Sequence, residues 1–474
     1  MTSAPLWTSD DAARATNGQV DQAWRANGIS IDTRSLQPGD LFVALKDARD
    51  GHDFVASAFE AGASACLVSQ DVSGSPVLKV DDTLSALEKL GIAARQRTDA
   101  YCCAITGSVG KTSVKEMVAQ IFRAAGAAHW SVKSFNNHWG VPLTLARMPA
   151  STERAVFEIG MNTPGEIEPR SKMVRPHAAL ITKIAAAHLE GMGTEEAVAL
   201  EKSAIFAGLE PGGTVILPAN DRFLDFLKDR AREYAPDAPV QTFGAPGSDA
   251  FVISSESDGV STTFRLSLCG SEVSVTIDAV GEHWGHNIAA ALLLALASGL
   301  SADQAANALN GYAPPEGRGK AEWLTLADGG RALLVDDAYN ANPESMRAAL
   351  GSFSQRPASR HLIALGEMKE LGKDADALHL DLVPHILSCK PAIVFLAGEG
   401  FRAASEAVKG KTESVWAPTA RELQETVNKS LINGDALLIK GSNASGMRVL
   451  AEALRKWSEA HIVSDNGEGV VDAV

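Results

Sequence analysis

Residues 101–112 read Tyr-Cys-Cys-Ala-Ile-Thr-Gly-Ser-Val-Gly-Lys-Thr, and this stretch decides the fold class of the chain. Its first half is an apolar run typical of a buried strand. A glycine-containing turn follows, and then a helical pattern that ends at Gly126. A strand, turn and helix in this order place backbone N–H groups and a helix N-terminus around an anion. The stretch therefore predicts a phosphate-binding loop in an α/β fold.

The loop itself supplies candidate nucleotide contacts. Glycines let backbone N–H groups approach phosphate oxygens, Lys111 would reach the outer phosphates, and the Thr112 hydroxyl would ligate Mg²⁺. The usual loop has another glycine five positions before Gly110, where this chain has Ile105. The alternative is a chance Gly-Lys-Thr at a tight turn. The candidate residues are Gly107, Ser108, Val109, Gly110, Lys111, Thr112 and Ser113.

Composition excludes several classes of function. The chain has 474 residues, 45% of them hydrophobic and 21% charged, which is enough for two or three domains. Its 43 Lys and Arg against 58 Asp and Glu give a net charge of −15, which opposes nucleic-acid binding. The start lacks a signal-peptide pattern, and the apolar run 288–300 is too short to span a bilayer, so we expect a cytoplasmic protein without membrane insertion. The five cysteines are scattered and odd in number, so we expect reduced core thiols.

Changes of pattern along the chain predict three domains, with boundaries 1–98, 99–314 and 315–474. The first shows short apolar runs separated by turns, as in a small α/β domain. The second alternates strands and helices as in a mostly parallel sheet, except that 251–277 alternates apolar and polar residues as an antiparallel hairpin does. The linker 313–317 contains consecutive prolines, which interrupt any helix. Beyond it the pattern is that of a doubly wound fold.

Within these domains the apolar runs predict individual elements. A helix is expected at 195–209. The predicted strands are 101–105, 155–159, 179–182, 214–217, 333–336, 361–365, 393–397 and 436–439.

Two polar residues follow strands of the second domain. Glu158 ends a strand, and because neighbouring strands converge on the ligand crevice, it is placed to share the Mg²⁺. The alternative is an exposed carboxylate that caps a helix. His188 comes a short alanine run after the next strand and could ligate a second metal, although a lone histidine can equally be structural.

Lys202 lies on the apolar side of its predicted helix, because Val198, Lys202, Ile205 and Leu209 fall at helical spacing. Desolvation lowers the pKa of a buried lysine, and a neutral amine can react with carbon dioxide to form a carbamate, which is a metal-binding anion. The alternative is a lysine whose stem packs while its ammonium reaches water.

Polar residues elsewhere are weaker candidates when taken one by one. His283, His286 and Asn287 precede an alanine-rich helix, where they could cap it or hold a nucleotide base. Arg318, just past the linker, and Asp337, at a strand end, could reach across a cleft to ATP.

Together these residues resemble the motifs of the Mur ligase family, which also lacks the first glycine of the loop. The segments that carry the resemblance are 106–112, 158–162, His188, Lys202 with the Ser-Ala-Ile-Phe that follows it, 281–287, Arg318 and Asp337. Further segments resemble the members that add D-alanyl-D-alanine to UDP-N-acetylmuramoyl-tripeptide. These are 32–34, 38–45, 51–54, 136–142, 336–343 and 440–442.

The resemblance implies a small N-terminal α/β domain for the UDP-substrate, a central P-loop ATPase whose mostly parallel sheet has an antiparallel extension, and a C-terminal Rossmann-like domain. It implies ATP, two Mg²⁺ ions, a monomer, and both substrates named above as partners. Lys111, Lys202 and His188 would be catalytic, and Thr112, Glu158, His188 and carbamylated Lys202 would hold metal. Asn287, Arg318 and Asp337 would join the loop in binding ATP. The substrate-binding residues would be Asp32, Thr33, Arg34, Asn136, Asn137, Tyr339, Asn340 and Asn342.

The sequence departs from the family pattern at two positions. Trp284 stands where the family usually has Asn, and Asn443 stands where these members often have Arg. The competing interpretations are the same chemistry on another acceptor, as in the diaminopimelate-adding ligase or folylpolyglutamate synthase, and a nucleotide-driven switch without ligase activity.

Overall fold

A computed structural model describes residues 4–132 and 134–465. The tail from 465 onward, for which the sequence predicts disorder, lies outside these residues apart from its first position. Within the described part of the chain, every helix is too short or too polar to cross a membrane.

The N-terminal unit is a small sheet with the strand order β2-β7-β6-β5-β4, and a separate short pair, β1 with β3. Its strands are β1 (Trp7–Thr8), β2 (Gln19–Val20), β3 (Arg25–Ala26), β4 (Gly28–Ser30), β5 (Asp40–Val43), β6 (Ala65–Val68) and β7 (Val77–Lys79). Its helices are α1 (Ser9–Thr16), α2 (Val55–Glu60) and α3 (Thr83–Gln96). Buried Leu41, Leu67 and Leu90 share a core with Leu143 and Ala146 of the next unit, so the two units pack directly together.

The central unit is a long sheet with the order β16-β15-β14-β13-β12-β11-β8-β10-β9. Its strands are β8 (Tyr101–Thr106), β9 (Ala128–Trp130), β10 (Arg154–Glu158), β11 (Ala178–Ile181), β12 (Thr214–Pro218), β13 (Val240–Phe243), β14 (Ala250–Ser257), β15 (Thr262–Leu268) and β16 (Ser271–Ile277). Its helices are α4 (Lys111–Ala125), α5 (Gly140–Ala146), α6 (Ile167–Val174), α7 (Leu189–Met192), α8 (Glu195–Ser203), α9 (Leu224–Tyr234), α10 (His283–Ala297) and α11 (Ala302–Leu309).

The position of β8 between β10 and β11 determines where the site lies. All three strands are parallel, with Ile105 beside Glu158 and Thr106 beside Ile181. Their carboxyl ends therefore bring the loop 107–110, Glu158 and the segment after β11 to one edge of the sheet. β14, β15 and β16 pair antiparallel and extend the other end.

The C-terminal unit has the order β17-β18-β22-β19-β20-β21, parallel except for the edge strand β17. Its strands are β17 (Lys320–Thr325), β18 (Arg331–Asp337), β19 (Arg360–Gly366), β20 (Ile393–Ala397), β21 (Glu413–Ala417) and β22 (Asp435–Lys440). Its helices are α12 (Pro343–Phe353), α13 (Ala375–Leu380), α14 (Val383–Ser388), α15 (Arg402–Val408), α16 (Ala420–Ser430) and α17 (Met447–Asp465). Separate apolar cores cover the two faces of the sheet, as in a doubly wound fold.

Each predicted strand is confirmed to within a residue or two at its ends. The predicted helix 195–209 is too long, because α8 ends at Ser203 and continues as a tighter turn, 204–208. Gly208 there lies so close to the backbone of Ser171 that a Cβ would come within 2.2 Å of it, which no regular sequence pattern reveals. Cys269 is exposed in the β15–β16 turn rather than in the core, whereas Cys66, Cys102, Cys103 and Cys389 are buried.

Candidate functional site

The loop 107–110 joins β8 to α4 in the predicted order. Gly107 has φ +145°, and a Cβ at this position would lie 1.9 Å from Oγ1 of Thr182, so only glycine fits. The backbone N–H of Ser108 donates to the carbonyl of Lys183 at 2.7 Å. The loop is therefore fixed against the segment after β11, with the N-terminus of α4 beside it.

Lys111 is the first residue of α4 and folds back over the loop. Its Nζ donates to the carbonyl of Gly107 at 2.6 Å. Burial lowers the pKa of Lys111, while the charge of Glu158 opposes this shift. The ammonium group and the helix N-terminus thus concentrate positive charge where phosphate oxygens would lie.

Glu158 is only 1% exposed, so the alternative of an exposed capping carboxylate is wrong. The hydroxyl of Thr112 donates to its Oε2 at 2.8 Å, and Nδ2 of Asn136 donates to its Oε1 at 2.7 Å. Arg318 in turn donates to Oγ1 of Thr112 at 3.0 Å. The carboxylate, hydroxyl and amide predicted from distant segments of the sequence therefore meet at one point.

Lys202 is 1% exposed, which rules out an ammonium that reaches water. Among the described residues its amine has no hydrogen-bond or ion-pair partner, although the charges of Glu201 and Glu158 act on it. Burial, and then the charge of Lys111, lower the pKa of Lys202 well below its ordinary value. The neighbouring Glu201 does not pair with it, because its carboxylate accepts the backbone N–H groups of residues 165–167 at the start of α6.

His188 lies between β11 and α7 with φ +57°. Its Nδ1 is 2.7 Å from Oε2 of Glu370, which belongs to the C-terminal unit. This contact with His188 lowers the pKa of Glu370. The histidine that the sequence placed near a second metal thus stands where the central and C-terminal units meet.

Arg318 and Asp337 enter the site from the C-terminal side. The guanidinium of Arg318 stacks over the ring of Tyr339 at 3.9 Å, which orients it toward Thr112. Burial raises the pKa of Asp337, and Lys440, whose Nζ lies 2.7 Å from its Oδ2, opposes this shift. Both side chains are therefore held in place by partners of their own unit.

Two asparagines flank the phosphate loop. Oδ1 of Asn287 lies so near Gly110 that a Cβ on that glycine would be 2.8 Å away. Asn342 caps α12 and directs its Nδ2 to the carbonyl of Ser108 at 3.4 Å. The capping interpretation for Asn287 is wrong, as it is for His283 and His286, because α10 already begins at His283 and all three lie within its first turns.

These residues line a cavity of about 670 Å³ between the central and C-terminal units. The predicted residues that line it are Ser108, Val109, Gly110, Lys111, Thr112, Ser113, Asn136, Asn137, Glu158, His188, Asn287, Arg318, Asp337, Tyr339, Asn340 and Asn342. Trp284 and Asn443, the two departures from the family pattern, line it as well.

Other predicted residues lie outside the cavity lining. Gly107 and Lys202 are not among the residues that line it. Asp32, Thr33 and Arg34 lie in the N-terminal unit after β4, where Arg34 forms an exposed ion pair with Asp32 at 2.6 Å. The structure therefore brings most of the predicted nucleotide-binding residues together around one cavity, whereas the segment 32–34 lies outside the cavity lining.

Sequence reasoning missed several residues of the site. Ser134 accepts from Arg318 at 3.3 Å, and Glu201 fixes the start of α6 beside Lys202. Lys440 had a signal, because it belongs to one of the segments that carry the resemblance. For Glu370 the sequence held no local signal, since its partner His188 belongs to another unit.

Comparison with known proteins identifies the family. Family models match at residues 25–123 (Mur ligase family, catalytic domain), 105–295 (Mur ligase middle domain) and 322–443 (Mur ligase, glutamate ligase domain). The UDP-N-acetylmuramoyl-tripeptide--D-alanyl-D-alanine ligase of Escherichia coli is 35% identical over 93% of this chain and 96% of its own length. The chain belongs to the Mur ligase family. This Mur ligase is accordingly an ATP-dependent ligase.

Other relatives agree with this assignment. The enzyme of the same name from Bacillus subtilis is 32% identical over 90% of this Mur ligase and 93% of its own length. The crystal structure of MurF from Acinetobacter baumannii is 30% identical, covers 95% of this chain and 99% of its own, and superimposes with a TM-score of 0.82. The predicted three-domain α/β architecture is confirmed by this likeness.

Proposed function

We propose that this Mur ligase joins D-alanyl-D-alanine to UDP-N-acetylmuramoyl-tripeptide at the expense of ATP, giving the pentapeptide precursor of peptidoglycan. The observation that carries the proposal is the shared cavity, where the loop and Glu158 of the central unit face Arg318 and Asp337 of the C-terminal unit. The names of the relatives supply the substrates. We assign residues 1–98 to the UDP-substrate domain, 99–314 to the ATPase and 315–474 to the C-terminal ligase domain.

The reaction has two steps. An oxygen of the tripeptide's terminal carboxylate attacks the γ-phosphorus of ATP, and the bond from this phosphorus to the β-phosphate oxygen breaks. ADP is the leaving group, and the tripeptide becomes an acyl phosphate. The dipeptide amine then attacks the acyl carbon, a tetrahedral intermediate forms, and inorganic phosphate leaves as the amine loses its proton. Negative charge builds up on the phosphoryl oxygens in the first step.

The residues of the loop act on that charge. Lys111 would leave the carbonyl of Gly107 for the outer phosphates, and Arg318, which contacts Thr112, would add a second positive charge. Contacts between the units would exclude water, which otherwise hydrolyses an acyl phosphate. Such contacts join Lys183 to Glu344, His188 to Glu370, and Asn342 to Ser108.

We propose that the site takes two Mg²⁺ ions. Thr112 with Glu158 would hold one ion, and His188 with a carbamate on Lys202 would serve the other. The buried Lys202 amine, which lacks a hydrogen-bond partner among residues 4–132 and 134–465, supports the carbamate. No three His, Cys, Asp or Glu side chains of the described chain cluster as a complete metal site, so phosphate oxygens of ATP would have to supply further ligands. Bound Mg²⁺ would neutralise the phosphates and polarise the reacting phosphoryl group.

Substrate contacts complete the proposal. Asp32, Thr33 and Arg34 would meet the UDP part of the tripeptide substrate. Asn136 and Asn137, and across the cavity Tyr339, Asn340 and Asn342, would contact the reacting end of the substrate or the dipeptide.

The test is phosphate release and product formation by the purified chain. Release that requires both UDP-N-acetylmuramoyl-tripeptide and D-alanyl-D-alanine is expected, with lysine- and diaminopimelate-containing tripeptides compared as separate arms. Robust turnover with a single amino acid in place of the dipeptide would instead support another acceptor. ATP binding without any ligation would support a nucleotide switch.

A further inference from the structure

The turn 368–372 of the C-terminal unit rests on α7 of the central unit. Nδ1 of His188 lies 2.7 Å from Oε2 of Glu370, and the backbone N–H of Glu190 donates to the carbonyl of Glu370 at 3.2 Å. Side chain and backbone of the same residue thus meet the same short helix. The contact joins two units that are separate in sequence, so it exists only when they are together.

Both partners of this contact have an unusual backbone. Six non-glycine residues of the described chain have positive φ, and His188 at +57° and Glu370 at +63° are two of them. Such conformations are unfavourable for residues with a Cβ and persist where the surrounding structure requires them, often at functional sites. Two of these conformations facing each other across a cleft indicate that the side chains are aimed at a specific meeting point.

The turn that carries Glu370 is fixed from behind. The backbone N–H of Met368 donates to Nε2 of His379 at 2.8 Å, and the other ring nitrogen of His379 donates to the carbonyl of Ala375 at 2.7 Å. His379 is 1% exposed and packs edge-on against Phe401. Glu370 is therefore presented by a rigid support, although its own carboxylate is half exposed.

The contact brings one particular nitrogen of His188, Nδ1, to the carboxylate of Glu370. Nδ1 lies within hydrogen-bonding distance of Oε2 of Glu370, but the two groups are not aligned as a hydrogen bond requires, so the ring or the half-exposed carboxylate must reorient for Nδ1 to donate. With Nδ1 donating to Glu370 in that orientation, the lone pair of Nε2 would be available to a metal. Carboxylates that hold metal-binding histidines in this way raise metal affinity by about 10–100-fold.

We infer that Glu370 is a positioning residue that the C-terminal domain supplies to His188, so that the second metal site reaches full affinity only when the domains close. The inference rests on the proposed function, in which His188 serves that metal. Closure then has a second effect besides excluding water: it completes the metal site when the C-terminal domain is in place.

A matched control is available in the same interface. Glu344, at the start of α12, also forms an ion pair from the C-terminal unit to the central unit, in this case with Lys183. Glu344→Gln removes a cross-domain charge pair without touching His188. Comparing it with Glu370→Gln separates weaker closure from loss of the His188 contact.

The experiment counts Mn²⁺ bound to the full chain with the β,γ-imido analogue of ATP and the UDP-tripeptide, using the electron paramagnetic resonance signal of free Mn²⁺. The wild type should bind two ions. Glu370→Gln should weaken the second ion by about 10-fold or more while the first is unchanged. Glu344→Gln should bind both as the wild type does, and small-angle scattering should show similar closure in the two variants. In a His188→Ala background, Glu370→Gln should have no further effect on Mn²⁺.

Equal weakening of the second ion in both variants would overturn the inference, as would binding of a single Mn²⁺ by the wild type. Product formation by the same wild-type preparation tests the proposed function independently. Ligation activity with unchanged Mn²⁺ binding in Glu370→Gln would leave the proposed function standing and refute the positioning role. Weakened Mn²⁺ binding in Glu370→Gln, together with a wild type that does not ligate the two substrates, would support the positioning role and refute the proposed function.

Discussion

Two lysines of the central unit are almost equally buried but have opposite surroundings. Lys115, on α4, is fully buried, and its Nζ donates to the carbonyl of Ser131 at 2.7 Å and to Oε1 of Glu116 at 2.5 Å. Lys202, on α8, is 1% exposed, and the structure gives its amine no hydrogen-bond partner among the residues it describes.

The difference teaches how to separate a structural lysine from a reactive one. A buried ammonium is unfavourable unless hydrogen bonds and an opposite charge compensate its lost hydration. Lys115 has this compensation and joins α4 to the segment after β9. Lys202 makes no hydrogen bond or ion pair within the described chain, and the charges of Glu201 and Glu158 only partly oppose the effect of burial and of Lys111, so the amine is best accommodated neutral or as a carbamate that binds metal.

The largest expected effect is on catalysis. Lys202→Ala should lower kcat by about 10²–10³-fold, the range seen when a group that stabilises transition-state charge is removed. Added short-chain carboxylates should restore part of the activity, because they can occupy the space and replace the anion. Steady-state phosphate release measures both effects. Full activity in Lys202→Ala would show that Lys202, like Lys115, has only a structural role.

The second effect is on stability and should fall on the other lysine. Lys115→Met should lower the free energy of unfolding by about 3 kcal/mol, because it strips a buried carbonyl of its partner and breaks a charge pair. Lys202→Met, measured beside it by urea unfolding without metal, should leave stability unchanged or raise it. Equal losses in the two variants would show that Lys202 has compensating partners after all.

This contrast also shows what sequence can and cannot reveal. The phosphate loop, the strand ends and Lys202 were predictable, because apolar periodicity and glycine position are local signals. The sequence could not predict that Lys202 has no partner within the described residues, because this depends on Glu201 turning its carboxylate to α6. The role of Glu370 could not be predicted either, because Glu370 meets His188 only through the packing of two units. Asn287 was predicted near the nucleotide, but its place inside α10 was not.

The smallest expected effect is a pH dependence of stability. Burial lowers the pKa of Lys202 from its ordinary value of 10.5. At a pH between the lowered pKa and 10.5, the amine is therefore neutral in the folded chain and protonated in the unfolded chain. Unfolding then takes up a proton, so the free energy of unfolding should rise with pH in this window, by at most about 1.4 kcal/mol per pH unit relative to Lys202→Met. Urea unfolding without metal or carbon dioxide measures this difference. Parallel pH profiles for the two proteins would contradict a lowered pKa.

The most direct test of the distinction is carbon-13 NMR of the protein equilibrated with labelled bicarbonate. A carbamate signal is expected in the wild type and in Lys115→Met, and its loss is expected in Lys202→Met. A wild-type spectrum without a carbamate signal, or a signal that survives in Lys202→Met, would contradict the assignment of Lys202 as the reactive buried lysine.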